Sequence, residues 1–311
     1  MMKLTIATRG SKLALWQSNH IKAQLESFGY EVELKIFKTK GDKILDTPLA
    51  LIGGKGLFTK ELEDAMLRGE ADLAVHSLKD VPTELPEGLV LGAITKREMT
   101  NDSLLSEQYE TLADLPPNAV VGTTSLRRRM QLLHLRPDIC IKDLRGNVDT
   151  RINKLKNGEF DAIILAYAGL KRLGILESVR YVHPIDENTM IPAMGQAALG
   201  IECRPDVVDV VKKLNDEKSA IETFIERDFI DRLQGGCQVP IGVRASLLEN
   251  NDIIVKAVIG LPDGSELLKD KIFGSKENYH ELGKELAESM IDNGAKELLQ
   301  RAEAMAFKEH K

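Results

Sequence analysis

The sequence predicts an α/β protein of two similar lobes with a cleft between them, followed by a smaller α+β domain. Three observations point to it. Apolar strand patterns alternate with helical patterns over roughly the first two-thirds of the chain, as a parallel sheet with helical crossovers requires. That alternation occurs twice, in units of similar size. From about Ser219 it gives way to strands joined by a tight turn, then to helices. The length of 311 residues suits two or three domains.

In the first unit, Lys3 to Ala7 reads as a buried strand and Lys12 to Phe28 as a helix stopped by Gly29. Glu31 to Phe37 alternates charged and apolar residues, the period of a strand. Thr39 to Lys55 contains Gly41, Pro48, Gly53 and Gly54 and predicts a long loop, a class that is functional or disordered. Phe58 to Leu67 follows as a helix, then Ala71 to His76 and Leu89 to Ile94 as strands. In the second unit, Ala119 to Gly122 is a strand that enters a helix ending near Leu135. Ile139 to Asp143 and Phe160 to Ala166 are strands, and Asn147 to Leu155 and Ala168 to Leu173 are helices. Beyond Ser219, a helix runs to Leu233. Strands follow at Val243 to Leu247, Ile253 to Ile259 and Leu267 to Phe273, the last two joined by the turn Pro262-Asp263-Gly264-Ser265. Tyr279 to Ile291 is an amphipathic helix ending near Gly294, with more helix after it.

Composition narrows the function. Apolar content of 43% and charged content of 29% fit a globular chain rather than a disordered one. Three scattered cysteines (Cys140, Cys203 and Cys237) without a Cys-x-x-Cys pair suggest neither a disulfide framework nor a metal site. Met1 to Ile6 runs directly into a strand pattern and no apolar run reaches membrane-spanning length, so the expected setting is the reducing cytoplasm, away from membranes. A net charge of −6 argues against nucleic acid. From Gly122 to Arg151, however, seven basic residues face three acids, a local excess of 7 − 3 = +4. A basic zone in an acidic protein points to a small anion in a cleft.

Open α/β sheets bind ligands beyond the carboxyl ends of their strands. Four polar groups fall there: Arg9 with Ser11, Ser77 to Asp80, Thr123 to Arg128, and Arg145 to Arg151. Gly122-Thr123-Thr124-Ser125-Leu126-Arg127-Arg128 places hydroxyls and arginines at a strand-to-helix turn, where free amides and guanidiniums favour carboxylate or phosphate. The alternative is a capped helix with a solvated basic face. Arg145 and Arg151 repeat the arrangement at the next strand end. Asp80 can act as acid/base, stabilise a developing cation, or simply form an ion pair or a turn before proline. His76 reads as packed or hydrogen-bonded. Gly53-Gly54-Lys55-Gly56 is a lid with one cation or only a linker. Finally, Leu233-Gln234-Gly235-Gly236-Cys237-Gln238-Val239-Pro240 sets one thiol on a glycine-rich turn, suited to projecting into a cleft or carrying a covalent group. A loop cysteine without a role is the alternative there.

Taken together, these motifs resemble the porphobilinogen deaminase family over essentially the whole chain. The resemblance rests on Ile6-Ala7-Thr8-Arg9-Gly10-Ser11, Gly53 to Phe58, His76-Ser77-Leu78-Lys79-Asp80-Val81-Pro82, Gly122 to Arg128, and Leu144-Arg145-Gly146-Asn147. Gly195-Gln196, Gly200-Ile201-Glu202-Cys203-Arg204 and Gly235 to Pro240 complete it. It implies three domains: residues 1–95 with 195–215, residues 96–194, and residues 216–311. The first two would be lobes like those of periplasmic binding proteins.

The resemblance also implies a transferase of tetrapyrrole (haem) biosynthesis, monomeric and cytoplasmic. It would condense four porphobilinogen molecules head to tail into hydroxymethylbilane, releasing ammonia. The cofactor would be one dipyrromethane per chain, built from substrate and thioether-linked to Cys237. By the family pattern, Asp80 would be catalytic, stabilising the cation formed as ammonia leaves. Ser77, Lys79, Asp80, Thr123, Ser125, Arg127, Arg128 and Arg145 would bind the cofactor. Arg9, Ser11, Lys55, Arg151, Arg172 and Gln196 would bind substrate or growing chain. One departure is Leu51, where some members carry lysine.

Overall fold

The computed structural model describes residues 2–43, 57–234 and 239–308. The chain forms two compact units. One gathers the residues up to Glu98 with Gly195–Ile221, and the other gathers Met99–Met194 with the residues from Glu222.

Strands are numbered along the chain. The sheet of the first unit contains β1 (Lys3–Arg9), β2 (Glu31–Phe37), β3 (Leu73–Ser77), β4 (Val90–Ile94) and β10 (Leu199–Cys203), in the order β2-β1-β3-β10-β4. β1 runs parallel to β2 and to β3. β10 returns from the far side of the second lobe's sequence and is antiparallel to both its neighbours, with Gly200 opposite His76 and Glu202 opposite Ala74. The helix Lys12–Ser27 starts where the Ser11 hydroxyl accepts the Ala14 amide (3.3 Å). Its buried Ala14, Ser18, Ile21 and Leu25 recur every three or four residues and so share one face. That face meets Leu4, Ile6, Leu73, Val75 and Ile201 in the first core. Burying each such Leu or Ile contributes about 1.5–3 kcal/mol.

In the second unit, β5 (Asp102–Ser106), β6 (Val120–Gly122), β7 (Cys140–Lys142), β8 (Ala162–Ala166) and β9 (Tyr181–Pro184) form the sheet β7-β6-β8-β5-β9. β6 is parallel to β7 and β8, whereas β5 opposes β8 and β9. The same unit holds an antiparallel meander of β11 (Ile241–Leu247), β12 (Asp252–Gly260) and β13 (Leu267–Ser275), with helices Tyr279–Asp292 and Ala295–Lys308 packed on it.

The α/β class, with two sheet-bearing lobes and a smaller α+β part, is therefore as the sequence indicated. The parallel sheets need correction: both are mixed. The direction of β5 and β10 is set by where the chain crosses between units, which local periodicity does not record. Among the described residues, the loop expected after Thr39 opens with one helical turn, Lys40–Lys43. No helix among them is long and apolar enough to cross a membrane.

One turn shows how tightly the meander fits. Gly264 has φ +72°, and a β-carbon there would lie 2.4 Å from the His134 amide nitrogen. The Asp263 carboxylate meanwhile accepts from the Ser265 amide (3.0 Å) and hydroxyl (2.7 Å). Gly264→Ala is expected to destabilise the protein by about 2–4 kcal/mol, combining left-handed strain with overpacking. A urea melt reads this as a lower midpoint at unchanged slope; an unshifted midpoint would show that the turn is free to relax.

Candidate active site

In the first unit the polar groups gather at the carboxyl ends of β1 and β3, which are adjacent parallel strands. β3 ends at Ser77, whose hydroxyl accepts from the Gln17 amide nitrogen (2.9 Å). A single 3-10 turn, Leu78–Asp80, follows. Leu78 and Val81 are fully buried on either side of it. The Leu78 amide donates to the Ala198 carbonyl (3.0 Å) and the Val81 amide to the Leu78 carbonyl (3.0 Å). Two apolar anchors therefore hold the turn that carries half-buried Lys79 and exposed Asp80. Asp80 is exposed, and its carboxylate has no partner among the described residues.

Gly195 (φ +66°) comes so close to this turn that a β-carbon would lie 2.9 Å from Leu78 Cγ and 3.2 Å from the Lys79 amide nitrogen. The next residue, Gln196, is buried, and its carbonyl accepts from Arg97 Nε (2.8 Å). Half-buried Arg9 lays its guanidinium 4.4 Å from the centre of the Phe58 ring, a cation–π contact. Ser11 caps the following helix. His76 is buried and hydrogen-bonded to Glu202 (3.1 Å), in keeping with its reading as a structural residue.

The second unit repeats the placement. Thr123 and Ser125 follow β6, Arg145 and Arg151 follow β7, and Arg172 follows β8, all beyond the carboxyl ends of parallel strands. Thr123 is buried and its hydroxyl accepts from the Ser125 amide (3.2 Å). The Thr124 hydroxyl donates to the Leu144 carbonyl (3.3 Å), joining the two loops. Ser125 caps the helix Leu126–Leu135 and Asn147 caps Val148–Lys156. Half-buried Arg151 donates from Nε back to the Gly146 carbonyl (2.8 Å), closing the loop that holds Arg145. Arg172 is buried.

Arg127 and Arg128 are not a solvated basic face. They are 5% and 7% exposed and turn inward onto Asp102, which is fully buried at the start of β5. Arg127 Nη1 lies 2.7 Å from Asp102 Oδ2 and donates to the Ile191 carbonyl (2.8 Å). Arg128 reaches Asp102 Oδ1 through Nη2 (2.7 Å) and Nε (3.0 Å), and the Ile164 carbonyl through Nη1 (2.9 Å). Burial alone would push the Asp102 carboxyl up, but the two guanidiniums outweigh it and hold the group well below the usual carboxylate range. Burial pulls the Arg127 guanidinium down against the attraction of Asp102. Asp102 escaped the sequence reading; its signal is an acid opening the short, otherwise uncharged run Asp-Ser-Leu-Leu-Ser.

Cys237 and Lys55, central to the expected cofactor and lid, lie outside the described residues. Of the other thiols, Cys140 is exposed and Cys203 is buried; burial pushes the Cys203 thiol up to about 11, so it is no thiolate nucleophile. No cluster of metal-ligating side chains occurs among the described residues.

The buried triad generates a prediction. Asp102→Asn leaves two buried guanidiniums without their carboxylate and is expected to cost about 3–5 kcal/mol of stability. Because the Asp102 carboxyl is depressed in the folded state, its contribution is present above the ordinary value of 3.8 and fades as pH falls below it. Urea melts at pH 3 and pH 7 should show the gap between wild type and variant narrowing at pH 3. A gap of constant size would mean that charge is not what the triad contributes.

Two family models match the chain. The porphobilinogen deaminase dipyrromethane cofactor binding domain covers residues 4–212, and the porphobilinogen deaminase C-terminal domain covers residues 220–292. The porphobilinogen deaminase of Sulfurimonas denitrificans is 62% identical over 309 residues, covering 98% of this chain and 99% of its own. That of Campylobacter hominis is 60% identical over 310 residues, covering 98% and 100%. Among solved structures, an ancestral arginine-binding protein bound to glutamine matches at 13% identity and TM-score 0.36, over 69% of this chain and 90% of its own. With matches of this length and identity, the chain belongs to the porphobilinogen deaminase family.

Proposed function

We propose that the chain condenses four porphobilinogen molecules head to tail into the linear tetrapyrrole hydroxymethylbilane. Ammonia leaves at each of the four additions to a dipyrromethane joined to Cys237 by a thioether, and one water then hydrolyses the finished tetrapyrrole from it. The observation that carries this reading is the display of Asp80, exposed beside Lys79 on a turn fixed by two fully buried side chains. A carboxylate held in place before charge develops stabilises a cation without reorganising.

The residues fit a ligand that carries several carboxylates. Two guanidiniums against one carboxylate leave the Asp102 triad with a net charge of +1, in the unit that also presents Arg145 and Arg151. When bound, dipyrromethane supplies the pyrrole to which the first substrate is joined. In this reading Lys79, Ser77, Thr123, Ser125, Arg127, Arg128 and Arg145 orient the cofactor's acetate and propionate groups. Arg9, Ser11, Lys55, Arg151, Arg172 and Gln196 do the same for the incoming pyrrole and the growing chain. With the group bound, Asp80 would stabilise positive charge as ammonia departs and take part in the proton transfers that follow. The three domains are residues 1–95 with 195–215, 96–194 and 216–311, and the enzyme acts as a monomer in the cytoplasm.

Two measurements test this. The intact mass of the purified protein, with peptide mapping, is expected to show two deaminated porphobilinogen units on Cys237. A bare thiol that stays bare after incubation with porphobilinogen would sink the cofactor assignment. Asp80→Asn should keep the fold and the attached group while turnover falls about 100-fold or more. Near-normal turnover would remove Asp80 from the chemistry.

A further inference from the structure

Behind the Ser77–Asp80 turn, one polar side chain occupies a core position. The helix Lys12–Ser27 buries Ala14, Gln17, Ser18, Ile21 and Leu25 on the face that packs against β1 and β3. Gln17 is 3% exposed, so an amide left without a partner there would be costly. Ser18, its neighbour on that face, donates its hydroxyl to Thr8 Oγ1 (2.7 Å). Gln17 reaches instead to the end of β3, where Nε2 donates to Ser77 Oγ at 2.9 Å. Ser77 is half-buried, and its backbone is held in the β3–β10 ladder opposite Leu199. Its hydroxyl does not cap the 3-10 turn that follows.

A serine hydroxyl has one hydrogen to give and two lone pairs that accept. Here the oxygen accepts from an amide that a buried helix face fixes in place. The single hydrogen is then left for a group on the far side of Ser77. Accepting a hydrogen bond also polarises the O–H and strengthens it as a donor. A carboxylate brings acceptors only, so a hydroxyl in this state matches it. Had the protein taken the hydrogen instead, Ser77 would turn lone pairs towards the same carboxylate and repel it.

We propose that Gln17 is a positioning residue that acts through Ser77, holding the serine hydroxyl as a hydrogen donor to a carboxylate of the bound pyrroles. The bond between the two side chains stands on the fold alone. Its use towards a ligand rests on the functional reading given above.

Two measurements test the two halves. Gln17→Met keeps the length of the side chain and removes the donor. Urea midpoints of full-length wild type, Q17M, Ser77→Ala and the double variant read the bond. The double variant should lose less than the two single losses combined, because removing both partners strands neither polar group. Additive losses would overturn the bond. Gln17→Glu keeps the shape but replaces the donor with an acceptor, and it tests the direction. Full-length proteins made in cells without porphobilinogen are given it at pH 8.5, and intact mass follows the gain of two deaminated units. That pH lies about four units above the ordinary glutamate value, so Q17E presents a carboxylate to Ser77. Its mass gain should slow about tenfold or more, the loss expected when a hydrogen bond to a charged group is removed. Q17M, in which Ser77 keeps its hydrogen, should slow by no more than about threefold. A wild-type rate in Q17E, or a Q17M as slow as Q17E, would overturn the donor role and leave Gln17 as packing alone. If wild type gains no mass, the functional reading fails and the ligand half of this proposal with it, while the midpoints still decide the bond.

Discussion

A buried acid on an inserted antiparallel strand is the constraint on which both lobes depend. β10 lies between β3 and β4, and β5 lies between β8 and β9, each running against its neighbours. Each brings a fully buried acid, Glu202 and Asp102 respectively. A buried carboxylate is tolerated only where it is paired and hydrogen-bonded. Glu202 therefore takes His76, next to the Ser77–Asp80 turn, and Asp102 takes Arg127 and Arg128, just beyond Thr123 and Ser125. In both lobes the side chain that the buried acid bonds stands beside the turn that presents polar groups at the strand ends.

This arrangement redefines the basic stretch from Gly122 to Arg151. Of its seven cations, Arg127 and Arg128 are engaged internally with Asp102, and Arg136 is paired with Asp138 (2.7 Å). The local excess of +4 becomes +3 once Asp102 is counted with the residues it serves. A positive potential that persists after internal pairing acts on a ligand more strongly from a buried position than from the surface, because water screens it less. A net charge of −6 over the whole chain is therefore compatible with a local positive field in this stretch.

Much of the fold was legible because local chemistry settled it. β2 was placed at its observed limits, Glu31–Phe37, since alternation continues to both ends. The helix starts after Ser11, Ser125 and Asn147 are signalled by side chains that cap them. β5, β9 and β10 were missed: Asp-Ser-Leu-Leu-Ser is framed by polar residues, Tyr-Val-His-Pro ends in a proline, and Leu-Gly-Ile-Glu-Cys carries a glycine and an acid in a short run. The two sheets were read as parallel because the strands read in them all run one way, and β5 and β10, which oppose them, were not read as strands. For the site, the strand-end positions of Ser77, Asp80, Thr123, Ser125, Arg145 and Arg151 followed from the α/β pattern. The inward turn of Arg127 and Arg128 did not, because their partner Asp102 lies about 25 residues earlier in a stretch with no strand signal.

The use of buried acids extends to the residues that flank Cys237. The helix Glu217–Arg232 precedes that segment and β11 (Ile241–Leu247) follows it. Glu226, fully buried on the helix, accepts the Ala245 amide of β11 (3.0 Å), and Glu222 accepts the Leu247 amide (3.1 Å). Arg244 bonds Glu222 (2.9 Å) and also Glu187 (3.2 Å). Burial pulls its guanidinium down, but the surrounding carboxylates outweigh that and hold it above its ordinary range. Bonds from carboxylate to backbone amide fix one element against another with little freedom, since a short side chain and a main-chain donor have few ways to meet. The two ends of the thiol-bearing segment are consequently tied to each other independently of the glycines between them.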